Sequence, residues 1–119
     1  GDRVTVPGVT LLSGPGNDIV AQTALTAAGA HLILFTTGRG TPLGAPAPTV
    51  KIATNSDLAA RKAHWIDVNA GALLEGVPLA DAAEQLFQTV LAVASGERRT
   101  QNEVNGFREI SIFKDGVIL

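Results

Sequence analysis

Residues 9–37 read VTLLSGPGNDIVAQTALTAAGAHLILFTT, and the expected fold rests on this stretch. Val9 to Leu12 is a short apolar run that ends at Ser13-Gly14-Pro15-Gly16. Ile19, Val20, Thr23, Ala24 and Ala27 then fall on one stripe of a helix, and Gly29 supplies its stop. His31 to Thr36 is apolar through its middle, the pattern of a strand buried on both faces. Strand, helix and strand in so short a span predict a right-handed crossover and a parallel pair.

The pattern continues on the carboxyl side. Val50 to Ala53 is a further short strand, and Ser56 can cap a helix over Asp57 to Lys62. Trp65 to Val68 has strand character. After Pro78, the residues Leu79, Ala82, Ala83, Leu86, Phe87, Val90, Leu91 and Ala94 recur at helical spacing until Gly96. Glu97 to Gly106 is polar and reads as a loop. Ile110 and Ile112, then Val117 to Leu119, flank Lys114-Asp115-Gly116 as a hairpin would. The alternation predicts an α/β domain: a three-layer, mostly parallel sheet with helices on both faces, Rossmann-like, ending in a carboxyl-terminal hairpin.

The 119 residues fit one domain. Charged residues make up only 17% of the chain, below the usual quarter, so part of the surface is expected to be covered by other domains. The net charge of −2 gives no basic footprint for nucleic acid, and one Trp, no Tyr and four Phe give no stacking platform. With no cysteine, neither a disulfide frame nor a thiolate metal site can form, and a cytoplasmic protein is expected. Leu32 to Phe35 is far too short to span a membrane. There is no Met, and the chain is expected to be a piece of something longer.

Two glycine loops carry the candidate chemistry. GPGND, Gly14 to Asp18, joins a strand to a helix and could offer N–H groups to an anion. It is half of a dinucleotide fingerprint, but Ile19 stands where the third glycine belongs, and no G-x-x-x-x-G-K-[ST] occurs. The plain alternative is a tight turn with Asn17 or Asp18 capping the helix. In FTTGRGTP, residues 35–42, Arg39 stands between Gly38 and Gly40, with hydroxyls at Thr36, Thr37 and Thr41. If both loops leave the carboxyl edge of a parallel sheet, they gather groups suited to a carboxylate or phosphate. A domestic ion pair, for example with Asp18, is the competing reading. Lys51 points opposite to Val50 and Ile52, as either a solvated edge lysine or an active-site cation. His31 and His64 lack metal-type spacing. Asp67 and Asn69 read by default as turn caps.

LLSGPGND, FTTGRGTPLGAPAPTVKIATN, WIDVNAG, LAVASGE and NEVNGFREISIFKDGV together resemble the carboxyl-terminal part of the altronate and galactarate dehydratase family, from about Val9 to Leu119. The ending looks nearer to the altronate branch. The family also resembles the large subunit of (2R)-sulfolactate sulfo-lyase. The resemblance implies a cytoplasmic hydro-lyase that converts a sugar acid to a 2-keto-3-deoxy acid with a divalent metal, iron or manganese. It also implies amino-terminal domains of the same polypeptide as partners, and it leaves room for a homo-oligomer. On this reading Gly14, Gly16, Asn17, Asp18, Thr37, Gly38, Arg39, Gly40 and Thr41 bind substrate, and Lys51, or a histidine from elsewhere, moves a proton. The alternatives are a packing or oligomerisation domain without catalytic groups, a (2R)-sulfolactate sulfo-lyase large-subunit domain, and a stand-alone small-anion binding module.

Overall fold

The computed structural model describes residues 2–14 and 16–112. The chain forms a small α/β domain around three parallel strands. Its elements are α1 (Asp18–Ala28), β1 (Ile33–Thr37), β2 (Thr49–Ala53), α2 (Ser56–Arg61), β3 (Val68–Asn69), a 3-10 turn (Ala70–Glu75), α3 (Leu79–Ala94) and α4 (Gln101–Asn105). The sheet order is β1-β2-β3. Ile33 pairs with Thr49 and Thr37 with Ala53, while Ile52 pairs with Val68.

The central strand explains the layering. Every residue of β2 is buried, which requires cover on both faces. On one face Val50, Ile52 and Val68 pack with Val93 of α3, and Leu86 closes over them. On the other, Ala53 packs with Leu58 of α2 and with Ile66. Asn102 of α4 donates to the Thr49 carbonyl at 3.3 Å. The Pro-rich segment between β1 and β2 belongs to the core as well, since Ala45 and Ala47 pack against Ile33.

Several expectations change. Val9 to Leu12 is not a strand: Val9 is fully exposed and Leu11 nearly so, at 93%. An apolar run becomes a strand only where a neighbouring edge accepts its backbone bonds, and no described segment pairs with this one. The crossover expected between it and β1 therefore does not form, and the sheet is smaller than the layered, Rossmann-like one expected. The strand expected at Trp65–Val68 shrinks to Val68–Asn69. The expected loop at 97–106 contains α4, held by a capping box between Thr100 and Glu103. The expected carboxyl-terminal hairpin falls largely on residues 113–119, outside the described residues.

The two long helices follow their sequence signals closely. Asn17 caps α1, and Gly29 ends it in the left-handed region. The wide apolar stripe of α3 divides in two. Leu86, Thr89 and Val93 turn inward, while Leu79, Phe87 and Leu91 stay 73%, 55% and 46% exposed. The sheet is too narrow to cover the second face.

Candidate functional site

Parallel strands send their carboxyl ends to one edge, where open α/β sheets bind ligands. Here that edge is polar. Thr37 ends β1 and Asn69 ends β3, while Thr54 and Asn55 follow β2. The Thr54 N–H donates to the Thr37 carbonyl at 3.0 Å. Asn55 Oδ1 accepts from Leu58 N–H at 2.8 Å and so starts α2. Asn69 Oδ1 accepts from Gly71 N–H at 2.9 Å, and its Nδ2 donates to Ser56 Oγ at 3.0 Å.

The turn Gly38-Arg39-Gly40 leaves this edge directly after β1. Arg39 is exposed. Gly40 has φ +74°, a conformation that side chains rarely adopt, and a Cβ there would meet Leu58 Cδ1 at 2.9 Å. Thr41 is half-buried. The other candidate loop is differently placed. Gly14, Gly16, Asn17 and Asp18 are all exposed, and nothing lies within 4 Å of a Cβ built at Gly14 or Gly16. Asn17 is occupied as the cap of α1, accepting from Val20 N–H at 3.5 Å. With no strand before it, GPGND does not leave a sheet edge, so the premise that set it opposite the Arg39 loop is corrected. Among the described residues no hydrogen bond joins the two loops.

Lys51 is the unusual group. It lies in the middle of the central strand and is fully buried, so the reading of a solvated edge lysine is overturned. Its Nζ donates to the carbonyl of Thr41, two residues beyond Arg39. The ammonium also sits 5.8 Å from the centre of the Phe107 ring. Loss of solvent lowers its pKa from 10.5 to about 8. The charges of Asp67 and Glu109 oppose that fall, and Lys62 adds to it.

Asp67 frames the lysine from behind. Its Oδ2 accepts from Lys51 N–H and its Oδ1 from Gln101 N–H, both at 2.8 Å. One carboxylate thus ties β2 to the start of α4. Burial raises its pKa, opposed first by these two backbone bonds and then by Arg98 and Lys51. Glu109 Oε2 accepts from Gly44 N–H at 2.9 Å, closing the Pro-rich segment over the same side.

The turn cap expected at Asn69 forms, with Gly71 N–H as its donor, but the sequence reading misses Asn55, which caps α2 in place of Ser56, and the bond from Asn69 to Ser56. The signal for both asparagines is the repeated placement of Asn at a strand end, in KIATN and WIDVN. Among the described residues no three His, Cys, Asp or Glu side chains gather into a metal site. No helix of the described residues is long and apolar enough to cross a membrane.

Residues 1–118 match the family model described as D-galactarate/Altronate dehydratase, C-terminal. The chain is 55% identical over 119 residues to an altronate dehydratase of Escherichia coli (strain K12), covering all of this chain and 24% of that relative. It is 49% identical over 120 residues to an altronate dehydratase of Bacillus subtilis (strain 168), with the same coverage. It is 36% identical over 116 residues to a galactarate dehydratase (L-threo-forming) of Escherichia coli (strain K12), covering 95% of this chain and 22% of that relative. The chain therefore spans about a quarter of the length of these relatives.

Proposed function

Because the chain belongs to the D-galactarate/altronate dehydratase carboxyl-terminal family, we propose that it is the carboxyl-terminal domain of a hydro-lyase that dehydrates a sugar acid, of altronate or galactarate type, to a 2-keto-3-deoxy acid. The observation that carries a catalytic share for this domain is Lys51: a fully buried lysine, its pKa lowered to about 8, bonded to the loop that bears Arg39. Burying a cation costs stability, and such sites are concentrated where chemistry uses them.

Dehydration of an aldonate removes a weakly acidic proton beside a carboxylate and then expels the neighbouring hydroxyl. Arg39 offers a fork matched to the substrate carboxylate, and Thr37 and Thr41 flank it. Lys51 moves the proton, with a pKa brought near working pH. The hydroxyls of the sugar acid meet the polar carboxyl edge. GPGND is kept as a second hydroxyl-binding segment, through Gly14, Gly16, Asn17 and Asp18, in contact with parts of the polypeptide beyond this chain. A divalent metal, iron or manganese, held by parts of the polypeptide beyond this chain, would supply charge stabilisation to the whole enzyme. The described residues offer no ligand set for it, so every step given to this domain runs through its own side chains. The amino-terminal domains of the same polypeptide complete the site in a cytoplasmic enzyme, with room for a homo-oligomeric assembly.

Arg39→Ala in the full-length enzyme should lower kcat/KM for altronate by about a hundredfold or more, in line with loss of a charged hydrogen-bonded partner. Arg39→Lys keeps the charge but loses the fork, and should recover less than half of that loss in free energy. Assaying altronate, galactarate and sulfolactate side by side identifies the acid. Undiminished turnover by Arg39→Ala would remove the carboxylate role.

A packing role has its own support in the outward face of α3. Leu79, Phe87 and Leu91, with Leu74 at 86% exposure, give more apolar surface than an isolated domain needs. Under this reading Phe87→Glu changes the assembly seen by light scattering and spares turnover per assembled enzyme.

A further inference from the structure

The backbone of Gly38-Arg39-Gly40 is held at each residue, while the Arg39 side chain stands exposed. Asn55 Nδ2 donates to the Gly38 carbonyl at 3.0 Å. Lys62 Nζ donates to the Arg39 carbonyl at 3.0 Å. Gly40 N–H donates to Thr37 Oγ1 at 2.9 Å. The lysine is itself oriented, 4.7 Å from the centre of the Trp65 ring. A turn with two glycines would otherwise sample many conformations, and ordering it at each encounter would weaken binding. Three side chains, from the end of β1 and from the two caps of α2, remove that freedom before any ligand arrives.

From this clamp we infer that Asn55 and Lys62 are positioning residues, which fix the peptide of Arg39 so that its guanidinium meets the substrate carboxylate in one pose. The inference rests on the carboxylate role given to Arg39 above. It assigns Asn55 a purpose beyond capping α2, and it assigns Lys62 one beyond surface charge.

Asn55→Asp separates the two purposes of that residue. Aspartate keeps the oxygen that accepts from Leu58 N–H, so α2 stays capped. It loses the donor to Gly38 and sets a carboxylate oxygen against that carbonyl. In the full-length enzyme, KM for altronate should rise about tenfold with kcat changed by less than about threefold, the size expected when a binding group is displaced rather than removed. Lys62→Met should act in the same way, and Lys62→Arg, which can still donate to the Arg39 carbonyl, should restore most of the loss. If the two residues act through Arg39, adding Asn55→Asp to Arg39→Ala should cost no further affinity.

Circular dichroism checks that each variant is folded, and if Lys62→Met is not, Asn55→Asp carries the test. Losses that multiply in the double variant would overturn the inference, because the residues would then act independently of Arg39. An unchanged KM for Asn55→Asp, when Arg39→Ala does raise it, would also overturn it and leave the carboxylate role standing. An unchanged KM for Arg39→Ala removes the carboxylate role first, and the inference with it.

Discussion

Replacing Lys51 by methionine in the full-length enzyme should lower kcat/KM by about 10²–10⁴-fold, the range for a lost proton-transfer group. Methionine fills a similar volume, so the effect on packing is small. The pH dependence makes the test specific. A base must be neutral to accept a proton, so kcat/KM should climb with pH up to about 8, the value to which burial lowers Lys51, and then level off. In Lys51→Met the residual rate should lack that rise. A variant with wild-type turnover, or with the same rise near pH 8, would take proton transfer away from Lys51.

The same lysine makes a claim about stability. Its folded pKa lies near 8 and its unfolded value near 10.5, so between these the unfolded chain holds a proton that the folded chain has lost. Stability must therefore rise with pH across that window, with the charged form penalised in full below it. The gap corresponds to about 3 kcal/mol. The chain has no cysteine or tyrosine, so side-chain titration in this window belongs to its lysines. Urea unfolding between pH 8 and 10.5 reads the slope, and Lys51→Met should flatten it. At pH 7 that variant loses the bond to the Thr41 carbonyl but also the cost of a buried cation, and the two largely offset.

What the sequence reveals here depends on whether the deciding contact is local. α1 and α3 are legible because their stripe, caps and stop signals lie within one window. α4 is equally local, and Thr100 followed three residues later by Glu103 is a plain capping-box signal hidden in a polar segment. The apolar run Val9–Leu12 misleads because its fate rests on a partner edge rather than on its own composition. Alternation correctly turns Lys51 away from Val50 and Ile52. Its burial is invisible in sequence, since the cover comes from Thr41 on one side and from Phe107, more than fifty residues on. The family motifs point to the glycine loops, yet the clamp on Arg39 is assembled from Thr37, Asn55 and Lys62, which no local pattern joins. GPGND lost its expected neighbour for the same reason that Val9–Leu12 failed to pair.

Gly71→Ala should have the largest effect on stability. A Cβ at Gly71 would lie 2.3 Å from Ser56 N, 2.4 Å from Asn55 C and 2.5 Å from Asn55 Cα. These are backbone atoms, so no rotamer change relieves the overlap, and one of the two segments must move. The crossing is also bonded in place: Asn69 accepts from Gly71 N–H and donates to Ser56 Oγ. Pushing the 3-10 turn away from α2 therefore breaks the junction of β2, α2 and β3. The expected cost is about 3 kcal/mol or more, a large share of the roughly 5–15 kcal/mol that holds a domain folded. A fall in Tm of roughly 10 °C or more should follow. Gly16→Ala is the contrast, because its Cβ would meet nothing within 4 Å and its Tm should stay within a few degrees of the parent. The displacement also reaches the site. Asn55 carries both the cap of α2 and the bond to Gly38, so the Gly71→Ala enzyme, assayed well below its Tm, should share the raised KM of Asn55→Asp. An unchanged Tm would mean that the chain tolerates a wider crossing than the one observed. An unchanged KM beside a lowered Tm would mean that the junction serves the fold alone, with the Arg39 turn held by Lys62 and Thr37.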